Sequence, residues 1–367
     1  MKTSQSKIKK IISELCPNGV DFFKMNQIAD ITIGEFVHKN KQNPNGQYPV
    51  FNGGTSETGF YDEFNNTGNK IIVSARGANA GFVNRISKPY WAGNSCYTIG
   101  IKDEERVDWV FVFYYLKNNQ NKLIGEQQKG GIPAVSKKQI ENFKISIPPL
   151  AIQQEIVKIL NSFTELEAEL EAELEARKKQ YNFCRTQLLS FDDNLKFDIL
   201  SNVAKIKHGK DWKRLGKGII PVYGTGGVIG YVNKATYDKP TVLLPRKGSI
   251  TNIYYLEVPF WNVDTIYYTE IDEEKIIPKF FFYYLKTIDL MKLDMGSGRP
   301  SLTQAILNQI KVPVPPLSEQ RRIVSILDKF DALVNDISIG LPAELKARRQ
   351  QYEYYRNKLL TFNEYAK

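Results

Sequence analysis

Histidine is nearly absent from this chain of 367 residues: His38 and His208 are the only two. Two imidazoles leave no material for a multi-histidine metal centre and argue against a serine–histidine–aspartate triad, so each is read as structural or solvent-facing. Cysteine is as sparse. Cys16, Cys96 and Cys184 lie far apart, odd in number and with no Cys-x-x-Cys pair, so neither a zinc ribbon nor a disulfide framework is indicated. No metal and no cofactor is expected. No apolar run reaches membrane length and no signal-peptide pattern opens the chain, which makes the cytoplasm the expected compartment and excludes a membrane partner. What the chain has is a formal net charge of +10, 42% apolar residues and 12% aromatics. That composition describes folded matter of two or three domains, with a surplus of cations suited to a polyanion.

The chain contains itself twice. Asn52-Gly53-Gly54 through Gly59-Phe60 matches Tyr223-Gly224-Thr225 through Gly230-Tyr231 at an offset of 171. Arg76-Gly77 matches Arg246-Lys247-Gly248, and Trp91 matches Trp261, at 170. The run Phe113-Tyr114-Tyr115-Leu116-Lys117 returns as Phe282-Tyr283-Tyr284-Leu285-Lys286 at 169, and Pro148-Pro149-Leu150 as Pro315-Pro316-Leu317 at 167. Lys179-Gln180-Tyr181 with Leu188 returns as Gln350-Gln351-Tyr352 with Leu359 at 171. Ordered anchors with small drifting offsets mark a duplication of about half the chain.

Each copy has two parts of different character. Residues 20–147 and 196–314 carry short apolar and aromatic runs broken by Gly, Asn and Pro, which predict two similar α+β globular domains. A helical segment over 1–19 precedes the first. Helical spacers over 148–195 and 315–367 follow them, each opening on a Pro-Pro pair that stops the preceding strand. In the first spacer Ile156, Leu160, Phe163, Leu170, Leu174, Tyr181 and Leu188 keep helical steps. In the second, Ile323, Leu327, Phe330, Ile337, Tyr352 and Leu359 do the same, with Gly340 and Pro342 expected to kink or break it. Helices of about 40 residues, or about 60 Å, exceed what a small domain can cover. Pairing with each other as an antiparallel coiled coil is the expected solution, and it would make the molecule pseudo-two-fold symmetric. Within the first spacer the unit Glu-Leu-Glu-Ala occurs three times over 165–176. It reads either as a solvated helical spacer or as a length-setting ruler.

Local motifs give no catalytic centre. Gly54 through Gly59 has phosphate-loop spacing, but Phe60 stands where lysine is needed. Gly224-Thr225-Gly226 is a poor dinucleotide fingerprint, and no Asn-Pro-Pro-aromatic motif of an adenine methyltransferase is found.

The order of parts, together with Pro315-Pro316-Leu317-Ser318-Glu319-Gln320-Arg321-Arg322-Ile323-Val324, Gly340-Leu341-Pro342-Ala343-Glu344, Ala347 through Arg356 and the opening Glu14-Leu15-Cys16-Pro17-Asn18-Gly19-Val20, resembles the specificity subunits of type I restriction-modification systems. The resemblance covers the whole chain. It implies a non-catalytic subunit in which each globular part is a target recognition domain for one half of a bipartite double-stranded DNA site. It also implies that the helices carry two methyltransferase subunits acting on adenine, with restriction and translocase subunits joining the assembly. A coiled-coil adaptor with protein-binding domains and a self-contained DNA-modifying enzyme are the rival readings. Base contacts cannot be carried over, because each member of the family reads its own sequence. Candidates for DNA contact are therefore loops where cations, amides and small residues coincide: Arg76 and Asn79 against Arg246, Lys247, Thr251 and Asn252, then Lys129 against Arg299, then Lys39 and Lys41 against Lys210, Lys213 and Arg214. For any one of them, an ordinary surface charge or a phosphate contact is a plainer reading than base readout, more so for the lysines than for the arginines. Trp91 and Trp261 recur in both halves, which favours core packing over base stacking.

Overall fold

The computed structural model describes residues 14–123, 133–192, 195–294, 300–336 and 338–365. Ile337, expected on the helical seam, lies outside them. The chain divides into two compact units, Met1–Leu170 with Leu345–Lys367, and Glu171–Glu344.

The described residues of the first globular part form the strands β1 (Asp21–Lys24), β2 (Ala29–Ile33), β3 (Tyr48–Phe51), β4 (Gly59–Tyr61), β5 (Lys70–Ser74), β6 (Val83–Ile86), β7 (Trp91–Ala92), β8 (Cys96–Ile101) and β9 (Lys144–Ile147). Its helices are α1 (Met25–Ile28), α2 (Trp109–Asn118), α3 (Gln120–Leu123) and α4 (Lys137–Asn142), and the long helix α5 (Leu150–Leu188) follows. The strands form a four-stranded sheet in the order β2-β8-β5-β6, a three-stranded sheet β4-β3-β7 and the pair β1-β9. In the second part β10 (Phe197–Ile199), β11 (Ala204–Lys207), β12 (Ile220–Gly224), β13 (Gly227–Val232) and β14 (Thr241–Pro245) lead into β15 (Tyr254–Leu256), β16 (Trp261–Asn262), β17 (Ile266–Ile271) and β18 (Lys311–Pro313). They repeat the plan as β11-β17-β14-β15, β13-β12-β16 and β10-β18. The helices here are α6 (Leu200–Val203), α7 (Pro278–Leu285), α8 (Gln304–Asn308), α9 (Leu317–Asn335) and α10 (Leu341–Leu359). Both parts are α+β and share one topology, as the repeat predicts.

Local chemistry sets the boundaries. Asp108 caps α2 by accepting from the Val110 and Phe111 amides, and Ser136 with Gln139 forms a capping box on α4. Pro278 opens α7 at a position where its missing N–H costs nothing. The second spacer breaks into α9 and α10, as Gly340 and Pro342 predict. A Cβ at Gly340 would run into the carbonyl oxygens of Ala332, Leu333 and Asp336, so only glycine lets the chain turn so close to the end of α9.

The long helices begin inside the domain cores. Ile152, Ile156 and Leu160 are fully buried in one cluster with Ile71, Ile99, Phe111, Tyr114 and Ile145. Ile323 and Leu327 do the same with Val242, Leu244, Phe280, Phe281 and Tyr283. This corrects one expectation: the opening turns do bury against their own small domain. The reason is α2 and α7, which offer an aromatic wall that bonds the helix as well. The Tyr114 hydroxyl donates to Asn161 Oδ1 at 2.7 Å, and its counterpart Tyr283 donates to Asp328 Oδ1 at 2.6 Å. Ile156, Leu160, Ile323 and Leu327, expected on the seam, are therefore domain core rather than free interface.

Past that point each unit pairs two antiparallel helices. In the first, Phe163 of α5 lies 6.1 Å from Tyr352 of α10 and stacks on Tyr355 at 5.5 Å, and Arg349 reaches Glu167. In the second, Phe330 of α9 lies 6.3 Å from Tyr181 of α5, whose hydroxyl meets Asp331. The same phenylalanine–tyrosine pair thus recurs with the two helices exchanged. Leu359 is buried in the first core, while Leu170, Leu174 and Leu188 are half-buried along α5. Val20 lies beside the chain's far end, where its amide donates to Asn363 O at 3.0 Å and its carbonyl accepts from the Tyr365 amide at 3.2 Å.

A buried glutamine fixes each helix start. Gln153 is fully buried, donates to Pro148 O at 2.7 Å and Arg106 O at 3.1 Å, and accepts from the Asp108 amide at 2.9 Å. Gln320 repeats this with Pro315 O at 2.8 Å, Lys275 O at 3.0 Å and the Ile277 amide at 2.7 Å. Removing either side chain leaves three backbone groups without this partner, one buried and two part-buried, and a buried one costs about 1–3 kcal/mol when unpaired. Gln320→Ala is expected to lower the thermal midpoint by several degrees, and a melting curve matching the parent would contradict the clamp.

Lys117, at the end of α2, is pressed against the Phe82 ring at 3.6 Å and donates to Val83 O at 3.0 Å. Burial first, and the neighbouring Arg356 second, lower its pKa to about 8. The folded chain therefore holds this proton more weakly than the unfolded one. The cost is fully present below pH 8 and is relieved as pH rises toward about 10.4, the free lysine value. Urea midpoints of the parent relative to Lys117→Met should rise across that window; parallel curves would refute the assignment.

Candidate nucleic-acid interface

The loop after β5 and its counterpart after β14 are built on one backbone pattern. The Ala75 amide donates to Ser95 O at 2.8 Å and the Arg246 amide to Thr265 O at 2.9 Å. The Val135 amide donates to Ala75 O at 2.7 Å and the Leu302 amide to Arg246 O at 2.9 Å. Gly77 and Gly248 both adopt φ +89°, in the left-handed region, and their amides donate to Pro133 O and Pro300 O. This register equates Arg76 with Lys247 and Ala75 with Arg246. The pairing of Arg76 with Arg246 read from the sequence is one residue out, because the Arg-Lys pair hides the slip.

The side chains in these loops divide accordingly. Arg76, Asn79, Lys247 and Thr251 are exposed. Arg246 is half-buried: its guanidinium donates to Asp264 O at 3.0 Å and lies 5.9 Å from the Tyr267 ring. Asn252 donates its amide to Thr225 O at 2.8 Å, which commits it to the fold. The Tyr254 hydroxyl donates to the same carbonyl at 3.0 Å, tying the tip of the β12–β13 hairpin to this loop. In the first unit Ser74 Oγ donates to Gly54 O at 2.9 Å and ties the β3–β4 connection in the same way.

Lys129 and Arg299 lie outside the described residues, but the segments that follow them do not. Ala134 bridges Arg76 and Ser301 bridges Lys247, so each unit brings that flank to its cationic loop. The third basic region is hung on tryptophan. Trp91 Nε1 donates to Glu35 O at 2.9 Å and Trp261 Nε1 to Lys210 O at 3.0 Å. The indoles hold the start of the loops that carry Lys39 and Lys41 in one unit and Lys210, Lys213 and Arg214 in the other, all five exposed. A framing role for both tryptophans follows. The glycine-rich run over 54–59 is a strand-to-strand connection, with no helix behind it to hold a nucleotide.

Sequence reasoning missed Gln153 and Gln320, although they recur at the same offset of 167 as Pro-Pro-Leu. Leu166 and Leu333 keep the helical steps read from the sequence, but their exposure, and that of Phe183 and Tyr354, was not legible there. Leu166 is 40% exposed and its copy Leu333 37%; Phe183 is 66% exposed and its copy Tyr354 58%. No helix among the described residues is long and apolar enough to cross a membrane.

Comparison with known proteins agrees with this geometry. The model of the type I restriction modification DNA specificity domain matches residues 17–176 and 196–347. A protein of Haemophilus influenzae described as a type I restriction enzyme specificity subunit is 28% identical, covering 99% of this chain and 100% of that one. The Escherichia coli EcoR124I/EcoR124II specificity subunit is 31% identical, covering 71% of this chain and 72% of that one. The fold is similar to the crystal structure of the type I restriction-modification S subunit from M. genitalium, with a TM-score of 0.65, 24% identity and 93% and 96% of the two chains covered. Two matched domains, a shared topology and two loop sets displaying cations on a common frame lead to one conclusion: the chain belongs to the type I restriction modification DNA specificity family and is a DNA sequence-recognition subunit with two recognition domains.

Proposed function

We propose that residues 20–147 read one half of a bipartite DNA target, residues 196–314 the other, and that the helices carry two methyltransferase subunits that modify adenine. Restriction and translocase subunits join the same assembly in the cytoplasm, and this chain contributes no catalytic group. The supporting observation is the contrast between the copies: buried and framing residues recur, while exposed loop residues differ, as they must in two readers of different sequences.

Exchanging residues 20–147 for the same domain of a relative should change one half of the methylated motif, as mapped by methylome sequencing. A change in both halves would contradict modular reading. Arg76→Ala should cost about 1–3 kcal/mol at that half-site alone. Lys247→Ala should instead lower the salt slope of target binding by about one.

The recurring exposed pairs, Leu166 with Tyr354 in one unit and Leu333 with Phe183 in the other, suit two copies of the same partner. Phe183→Asp and Tyr354→Asp should each remove one methyltransferase subunit, read by native mass spectrometry of the complex. Retention of both subunits in each variant would place their docking elsewhere. The Glu-Leu-Glu-Ala units lie in the unbroken part of α5. Deleting residues 169–172 removes about 6 Å and about 40° of helix rotation, close to the turn of one base pair. The unread spacer should shorten by one base pair with both half-sites unchanged; an unchanged spacer would reduce the units to solvated filler.

A further inference from the structure

The β12–β13 hairpin departs from its counterpart in a way the frame does not require. In β3–β4, Gly59 stands opposite Val50; in β12–β13, Gly230 stands opposite Val222. The two residues before that glycine are Glu57 and Thr58 in the first unit, and Val228 and Ile229 in the second. Thr58 turns its hydroxyl to Val50 O at 3.2 Å. Val228 is 45% exposed, Ile229 50% and Tyr231 57%. Tyr223 pairs with Val228 while Val222 pairs with Gly230, so Ile229 is a bulged residue with no cross-strand partner. A bulge re-aims side chains and marks the ends of sheets where function sits. Here it leaves two consecutive branched aliphatic side chains in solvent, which burial alone would not select.

The surroundings identify what covers them. Residues 212–237 carry Lys213, Arg214, Lys217 and Lys234 and no carboxylate at all. The hairpin tip is bonded through Thr225 O to the loop that displays Lys247. Gly226, at the tip, has open space among the described residues where a Cβ would stand. Trp212 packs under the strand so closely that a Cβ at Gly230 would lie 2.6 Å from its ring, which stiffens the base of the hairpin. An uncharged two-stranded ribbon with a cationic surround has the dimensions and the charge to enter a major groove, where the apolar feature on display is the thymine C5-methyl group.

We propose that the β12–β13 hairpin enters the major groove of the half-site read by the second unit, and that Val228 and Ile229 recognise a thymine methyl there. This rests on the DNA-recognition reading and adds the chemical group recognised. The first unit has Glu57 and Thr58 at the matching positions and so no aliphatic pair at that place.

The test uses the complete chain in complex with its methyltransferase subunits, and the target duplex inferred from methylated adenines in host DNA. Exchange of residues 196–314 identifies the half-site concerned. Each thymine there is replaced in turn by deoxyuridine, which pairs identically and lacks only the methyl. At least one replacement should weaken binding about fourfold, as expected for one buried methyl. In Val228→Ala/Ile229→Ala the parent duplex should bind more weakly, and that deoxyuridine should have no further effect. Both side chains are solvent-facing, so the melting temperature of the variant should match the parent. Deoxyuridine in the other half-site should affect both proteins equally. Parent protein indifferent to every deoxyuridine in its half-site, or a variant that still responds in full, would overturn the proposal while leaving DNA recognition standing. A complex with no salt-dependent target binding would overturn the DNA-recognition reading itself.

Discussion

The glutamine amide at the start of each long helix ties three backbone groups from two directions, and the geometry of each unit follows from it. Gln153 joins the Pro148 carbonyl, at the end of a strand, to the Arg106 carbonyl and Asp108 amide at the entrance to α2. Asp108 in turn caps that helix. One buried amide therefore sets the angle between α5 and α2, and the contact of Tyr114 with Asn161 continues the same alignment a few turns along. A buried amide tolerates little displacement, since every misaligned bond leaves a dry polar group behind. The helix consequently leaves its own domain in one direction only.

The duplication separates two kinds of residue. Gln153 and Gln320, Trp91 and Trp261, Gly77 and Gly248, and the Phe163–Tyr352 and Phe330–Tyr181 pairs recur because backbone geometry requires them. Arg76 and Lys247 differ at matching points of the same backbone, and Glu57-Thr58 and Val228-Ile229 differ where the two hairpins themselves diverge, all on the solvent side. A chain that compares itself with itself in this way serves as its own two-member alignment. Recurrence points to scaffold, and exposed difference points to what each copy meets.

Much of the architecture was legible in the sequence because repeats and periodicity are local patterns. The two α+β domains, the helices after Pro-Pro and the break at Gly340 all follow from spacing. The register of the cationic loops did not, because Arg246-Lys247 offers two residues to match one, and only the backbone bonds of Ala75 and Arg246 decide between them. The commitment of Asn252 to Thr225 O and the burial of Ile156 and Leu160 in the domain were equally hidden. Each depends on what a side chain meets across the fold, which no linear pattern reports. The bulge at Ile229 belongs to the same class, being a property of the pairing between two strands.

The first unit takes its second helix from residues 345–359 and a bridge to Val20 from residues 363–365, whereas the second is drawn from one continuous stretch, 171–344. During synthesis, which proceeds at about 5–20 residues per second, the first unit is begun before the second and completed after it. Phe163 waits for Tyr352 and Tyr355 until residues 345–359 have left the ribosome. A frameshift just after residue 344 would spare the second unit and damage the first, although the first is made earlier.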